Sequence, residues 1–317
     1  MAVLARAHAP LADRGAMRIV SLLASATELV CALGAGDRLV GRSHECDHPD
    51  WVKALPVVSQ PTFDVTGSSA AIDALVRERL FAGAPLYAVD DARIAALAPD
   101  VLLTQTHCEV CAVIPADVDR GVAPSLCRKQ VIALRAGTLD GILEGFVQVA
   151  KVLGLESRGD ALVAECRAKV TRVRDRVAGL HRPSVVCLEW IEPVFAMGNW
   201  GPELVDHAGG ESLLGRPGEH SATTPWDAVR AADPEVLVVA PCGFGIDRTL
   251  SEMHLLRAQP GWRELGAVRE GRVFVADGNL HFNRSSPSVF DTIELLAEIL
   301  HPTTASSYEG EGFRRFL

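Results

Sequence analysis

The sequence predicts an α/β fold: two similar lobes joined by a long helix, with a ligand cleft between them. Three observations carry that expectation. Short β-branched runs alternate with helical patterns, the rhythm of parallel strands linked by crossover helices. From Thr138 to Gly179 the rhythm stops and only helical spacing remains. The flanks also echo each other, Ala96-Leu-Ala-Pro-Asp-Val-Leu-Leu-Thr-Gln105 against Ala231-Ala-Asp-Pro-Glu-Val-Leu-Val-Val-Ala240. In each, a helix stops at a proline and a buried strand follows.

Residues 1–17 contain no apolar run of about 7–15 residues and so do not read as an export signal. The expected location is therefore the cytoplasm, where thiols stay reduced. The first lobe, 18–137, takes strands at Arg18–Leu23, Arg38–Gly41 and Val101–Gln105. Ser25-Ala-Thr-Glu28 reads as a capping box opening a helix after the first strand. Ser59–Leu86 stands out as an insertion-like segment with no assigned role. The connector, 138–180, places Leu139, Ile142, Phe146, Val149 and Leu153 on one helical face. Beyond Gly154, Leu162, Cys166, Val170, Val173 and Val177 do the same. About 40 helical residues would span roughly 60 Å, less any break at Gly154. The second lobe, 181–301, takes strands at Ser184–Glu189, Val236–Ala240 and Arg272–Ala276. Its last helix is expected to have Ser286 as cap, Pro287 in the first position and a stripe of Phe290, Ile293, Leu296 and Leu300. The tail, 302–317, shows no clear period and is expected to be mobile or loosely docked.

Composition narrows the function. A chain of 317 residues suggests two domains at about 150 residues each. Hydrophobic residues at 48% and charged residues at 22% exclude a largely disordered chain. Lys+Arg 31 against Asp+Glu 40 gives a net charge of −9, which disfavours a broad grip on nucleic acid or anionic lipid. No apolar run reaches about 18 residues, so the chain is not expected to be membrane-embedded. GxGxxG after a strand, GxxxxGK[ST], HExxH and GxSxG are all missing, and no enzyme activity is expected.

Ligands of open α/β sheets gather beyond the carboxyl ends of the strands. Ser25 and Thr27 follow the first strand, either as simple caps or at N–H groups that receive an anion or amide. His44, Cys46 and His48 follow the second. After Gln105 comes Cys108-Glu-Val-Cys111, a spacing that holds Zn²⁺ or one edge of an iron–sulfur cluster. Cys242 follows the echoed strand of the second lobe. Four of eight cysteines thus fall on the ligand side, either as small residues in tight turns or as a thiolate site. Thiolate with imidazole suits zinc, iron–sulfur or another soft metal better than Mg²⁺ or Ca²⁺. Cys31, Cys166 and Cys187 read as packing residues. Trp190, Phe195, Trp200, Phe244 and Phe282 lie at or beyond strand ends, close to Asn199, Asn283 and Arg284. Such surfaces suit a large, flat, amide-bearing ligand.

These segments resemble the helical-backbone (class III) substrate-binding proteins of ABC transporters, most closely the cobalamin-binding branch and its signal-less, cysteine-bearing subgroup. The likeness rests on Arg18-Ile-Val-Ser-Leu-Leu-Ala-Ser-Ala-Thr-Glu-Leu, Val40-Gly-Arg-Ser-His-Glu-Cys-Asp-His-Pro and Leu97-Ala-Pro-Asp-Val-Leu-Leu-Thr-Gln. It continues through Ala208-Gly-Gly-Glu-Ser-Leu-Leu, Trp226-Asp-Ala-Val-Arg-Ala-Ala-Asp-Pro-Glu-Val-Leu and Asn283-Arg-Ser-Ser-Pro. It implies two α/β lobes on one long helix, a ligand between them and little hinge motion.

The expectation is a soluble binding protein that holds a corrinoid, cobalamin, between its lobes. Ser25 and Thr27 would bond ligand amides, and Trp190, Trp200, Phe244 and Phe282 would pack its apolar surface. Asn199, Asn283 and Arg284 would close the polar rim. His44, Cys46, Cys108, Cys111 or Cys242 would approach the cobalt. The partner is an ABC permease or a corrinoid-using protein. One alternative is a zinc or iron–sulfur site built from Cys46, Cys108, Cys111 and Cys242 with His44 and His48, without corrinoid. Another is an enzyme acting on a thiol or corrinoid substrate in the cleft.

Overall fold

The computed structural model describes residues 17–106, 130–304 and 308–317. The first lobe contains β1 (Ile19–Ser21), α1 (Ala24–Ala32), β2 (Leu39–Arg42), β3 (Ser59–Pro61), α2 (Ser69–Phe81), β4 (Tyr87–Val89), α3 (Asp91–Leu97), β5 (Val101–Gln105) and β6 (Gln130–Leu134). Two helices follow, α4 (Leu139–Val152) and α5 (Glu156–Val177). The second lobe begins with β7 (Ser184–Trp190), β8 (Phe195–Ala196), α6 (Gly201–His207), β9 (Glu211–Ser212), β10 (Ala222–Thr223) and α7 (Trp226–Ala232). It ends with β11 (Val236–Val239), α8 (Ile246–Arg257), α9 (Gly266–Arg269), β12 (Val273–Ala276), α10 (Val289–Leu300) and β13 (Phe313–Arg315).

The first sheet has the order β2-β1-β5-β6 and is parallel throughout. In the second, β7, β11 and β12 run parallel, and the path β10-β8-β7-β11-β12-β13 has antiparallel edges, with β9 beside β7. Strand alternation sorts side chains to opposite faces. Ile19, Val101 and Leu103 face one way, and Val20, Leu22 and Leu102 the other. The first group merges with α4, α5, α10 and the inner face of the second sheet, including Val185, Val236 and Val238. One apolar core therefore runs through both lobes and their connector, which fixes the lobes on each other.

The sequence echo is reproduced in the backbone. Ala98 (φ 44°) and Asp233 (φ 38°) end α3 and α7 in the left-handed region, each just before a proline. The acid after that proline reaches back to the neighbouring strand. Asp100 accepts from Arg18 N at 2.9 Å, and Glu235 accepts from Ser184 N at 2.8 Å.

Several expectations need correcting. The connector is two helices rather than one, broken where Gly154 takes φ 66°, and only α5 is long, at 22 residues or about 33 Å. The segment Ser25–Glu28 is no capping box: α1 is already helical at Ala24, and Glu28 is drawn away to a guanidinium. The last helix starts at Val289, two residues later than Pro287 suggests, because Ser286 and Ser288 pair their hydroxyls at 2.6 Å in a preceding turn. The tail does not hang free. Phe313–Arg315 adds an antiparallel edge strand to β12, with Phe313 buried against Phe274. The insertion-like segment is an excursion, with β3 and β4 paired at its foot and α2 beyond them.

Candidate ligand site between the lobes

The carboxyl ends of β1 and β2 face those of β7, β11 and β12, and polar side chains bridge the gap. Arg284, which follows β12, donates to Glu28 Oε1 at 2.7 Å, Asp47 Oδ1 at 2.6 Å and Asn279 Oδ1 at 2.9 Å. Asn279 also donates to Asp47 at 3.0 Å. Ser288 donates to Glu28 at 2.9 Å, and Ser285 to Ser25 at 3.2 Å. Arg284 and Glu28 are 6% and 5% exposed, so this is a buried ion pair joining the lobes. Burial opposes ionisation of Arg284, but Glu28 and Asp47 raise its pKa overall. Burial likewise opposes the Asp47 carboxylate, yet Arg284 and Asn279 hold its pKa below the usual range.

Beside this hub the lobes bring Glu45 from one side and Glu189 from the other near enough to Cys242 for both charges to act on its thiol, giving the throat between them an acidic character. The Cys242 amide donates to the Glu189 carbonyl at 3.0 Å. Burial, then the Glu189 and Glu45 charges, push the Cys242 thiol up to about 12, with Arg284 opposing. Burial raises the Glu45 carboxyl to about 7, with Arg284 opposing and Asp47 adding. Its side chain nevertheless keeps 40% of its exposure, as befits a group wetted in a cleft whose walls enclose it. Burial also raises Glu189 to about 7, against a hydrogen bond from Ser221 and the nearby His220. His44 pairs Nδ1 with Ser59 Oγ at 3.2 Å and lies 5.4 Å from the Tyr87 ring. Burial, helped by Arg42 and opposed by Ser59, lowers it to about 4, so at neutral pH it is an uncharged imidazole. Backbone contact sets this geometry: a Cβ on Gly278 would lie 2.1 Å from the Pro241 carbonyl oxygen, so glycine lets the two turns press together.

The residues expected from the sequence divide. Trp190, Cys242 and Arg284 lie where the lobes meet, whereas His44 is held within the first lobe by Ser59 and Tyr87. Phe244 packs at a tilt against Trp190, ring centres 5.1 Å apart, and is buried among first-lobe side chains. Ser25 and Thr27 are buried and bond within the protein, Thr27 to the Cys46 sulfur at 3.0 Å. Cys46 is fully buried beneath that hydroxyl and raised in pKa by burial, which makes it a packing residue rather than a thiolate ligand. Trp200 and Phe282 belong to the core, where the Trp200 indole donates to the Phe282 carbonyl at 2.9 Å. Asn283 ties down its own loop by donating to the Ala240 and Gly278 carbonyls. Asn199 takes φ 48° in a loop pinned to Glu219. His48 is exposed. Cys108 and Cys111 lie outside the described residues. Among those described, no three His, Cys, Asp or Glu side chains converge on a metal-sized site. Among the described residues the metal-centre expectation therefore has no support. Glu45 and Glu189 stand in the segments the sequence points to, beside His44 and Trp190, but are not among the site residues expected from it.

The profile of the family described as periplasmic binding protein matches residues 19–280. The chain belongs to that family. It is a family of binding proteins, not of enzymes. An uncharacterized ABC transporter substrate-binding lipoprotein of Bacillus subtilis (strain 168) is 21% identical over 297 residues, covering 90% of this chain and 81% of the relative. A vitamin B12-binding protein of Vibrio campbellii (strain ATCC BAA-1116) is 23% identical over 231 residues, 72% of each chain. The crystal structure of a periplasmic heme binding protein from Pseudomonas aeruginosa shares the fold, with TM-score 0.70, 22% identity and coverage of 94% of this chain and 97% of that one. Membership of the periplasmic binding protein family and a lipoprotein relative overturn the cytoplasmic expectation drawn from residues 1–17. Among the described residues of this periplasmic binding protein, no helix is long and apolar enough to cross a membrane.

Proposed function

We propose that this binding protein carries a corrinoid, cobalamin or a close relative, between its lobes and delivers it to an ABC permease. The observation that carries the reading is the throat's charge. Glu45 and Glu189 approach Cys242 from opposite lobes, while the buried Arg284 is committed to Glu28 and Asp47. Heme presents two propionates, which a carboxylate-lined throat repels. A corrinoid is fringed with amides, whose N–H groups suit carboxylate acceptors. With cobalt(III) and a neutral axial ligand it also carries positive charge. Carboxyls raised toward 7 by burial accept from amide nitrogens when ionised and donate to amide oxygens when protonated. In this reading Trp190 packs the macrocycle and His44 offers a neutral nitrogen toward the metal. The vitamin B12-binding relative adds support from outside the site.

The experiment is a visible-spectrum and calorimetric titration of the purified chain with hydroxocobalamin and, separately, hemin. Saturable 1:1 corrinoid binding at low micromolar concentration or tighter is expected. No corrinoid binding at tens of micromolar would sink the assignment, and tighter hemin binding would move it to heme.

A further inference from the structure

We infer that residues 62–86 form a lid over the interlobe cleft and that Arg248 and Glu252 are its latch. The inference rests on the cleft being the ligand site, and it names the part of the molecule that controls access. The core shared by both lobes leaves little freedom for the lobes themselves to part, whereas the excursion is lightly held. At its foot are three paired positions, Ser59 with Val89, Gln60 with Ala88 and Pro61 with Tyr87. Beyond the foot, only Ile72, Val76 and Leu86 of the excursion join the first-lobe core, beside Val20, Leu22, Ile94 and Leu102, and Leu80 and Phe81 are exposed at the far end of α2. Few buried apolar contacts on a narrow foot mark a segment of low local stability.

Besides that small apolar contact, polar groups of the other lobe hold the excursion closed. Glu252 on α8 accepts from the Ser69 amide at 2.9 Å and 3.2 Å through its two oxygens, at the start of α2. Arg248, one turn earlier on α8, donates to the Thr66 carbonyl at 3.2 Å, to the Gly67 carbonyl and to Glu252 at 3.1 Å. The Trp190 indole donates to the Ser69 carbonyl at 3.3 Å. The Arg248 guanidinium lies 4.4 Å from the centre of the Phe244 ring, which packs against Trp190 and the first-lobe residues beneath α2. Two charged side chains thus grip one backbone turn, and the aromatic pair at the throat is clamped by the same contact. Cys242 lies two residues before Phe244, in the same turn. Releasing the latch frees α2, Trp190 and Phe244 together and opens a path to Cys242. Arg248 and Glu252 are positioning residues: they need not touch the ligand to set how fast it enters and leaves.

The test uses the full chain without ligand, in wild type and in the variants Arg248→Ala and Glu252→Gln. The second variant keeps the size of the side chain and an oxygen for Ser69 but loses the charge. Hydrogen exchange of peptides covering residues 69–81 and site-resolved alkylation of Cys242 are measured. Loss of a charge-assisted contact is expected to speed both by about tenfold, with Cys166 and Cys187 labelling unchanged. Unchanged exchange and alkylation in both variants would overturn the inference. So would a parallel rise at Cys166 and Cys187, which would mean general loosening. A parallel hydroxocobalamin titration separates the two readings: faster exchange and labelling without corrinoid binding supports the lid and counts against the corrinoid.

Discussion

Removing Arg284 is expected to loosen the junction of the two lobes more than any surface substitution. In Arg284→Ala, Glu28 keeps only the Ser288 hydroxyl among its side-chain partners here, and its carboxylate stays 5% exposed. Stranding one member of a buried ion pair costs about 3–5 kcal/mol. The Asp47 contact adds at most about 1 kcal/mol, because Asp47 is 39% exposed and solvent screens it. A total near 4 kcal/mol, set against an unfolding entropy of about 0.7 kcal/mol per kelvin for a chain this long, lowers the melting temperature by about 6 °C. Urea unfolding followed by tryptophan fluorescence and circular dichroism reads the loss directly. Because the pair is buried, the loss should persist in 0.5 M salt, where about 4 Å of Debye length erases surface effects. Arg284→Met combined with Glu28→Gln removes both charges and should recover a large part of the stability. A loss below about 1 kcal/mol would place the pair in the surface class. A double variant no more stable than the single would refute the stranded-charge explanation.

Other outcomes follow from the same geometry. Glu45 and Glu189 titrate near 7 in the fold, against an ordinary value of 4.5, so the native state binds more protons between these limits. Their contribution to stability should therefore fall as pH rises from about 4.5 to 7, while the lowered His44 contributes in the opposite sense, so the stability of Glu45→Gln relative to wild type should rise over that window in thermal melts and level off above it. Affinity for a cationic corrinoid should rise over the same window as the carboxyls ionise, which calorimetry at several pH values checks. Cys46→Ala should cost about 1–2 kcal/mol in urea unfolding, through the lost Thr27 contact and packing, and leave ligand affinity unchanged. Affinity that collapses with stability intact would restore Cys46 as a ligand. Phe313→Ala should cost about 3 kcal/mol, since the tail strand anchors on a buried ring. A neutral result would mean the tail is dispensable.

The central strands were legible because parallel strands buried on both faces are written as continuous runs, as in Val101-Leu-Leu-Thr-Gln105 and Val236-Leu-Val-Val239. The α10 stripe was legible for the corresponding helical reason, with Phe290, Ile293, Leu296 and Leu300 all buried. Elements that depend on a distant partner were not. Phe313–Arg315 is a strand only because β12 offers an open edge. Ser59–Pro61 needs β4 beside it and contains a proline. Arg284 was singled out as a rim residue, but its carboxylate partners stand 256 and 237 positions away, so no local pattern announces the buried pair. The cysteines misled for a similar reason. Cys46 follows a strand on the ligand side, yet its thiol turns inward beneath Thr27, an orientation that spacing alone does not encode. The acidic character of the throat became visible only when the two lobes brought Glu45 and Glu189 to the same cysteine.

The claim that this acidic throat selects a corrinoid is tested most directly by competition. Purified protein is dialysed to equilibrium against equimolar hydroxocobalamin and hemin at pH 7.5, and the two are quantified in the protein compartment by their separate visible bands. The charge of the site predicts retained corrinoid, close to one per chain, with hemin at the level of a non-binding control. Hemin retained in preference to the corrinoid would contradict the account.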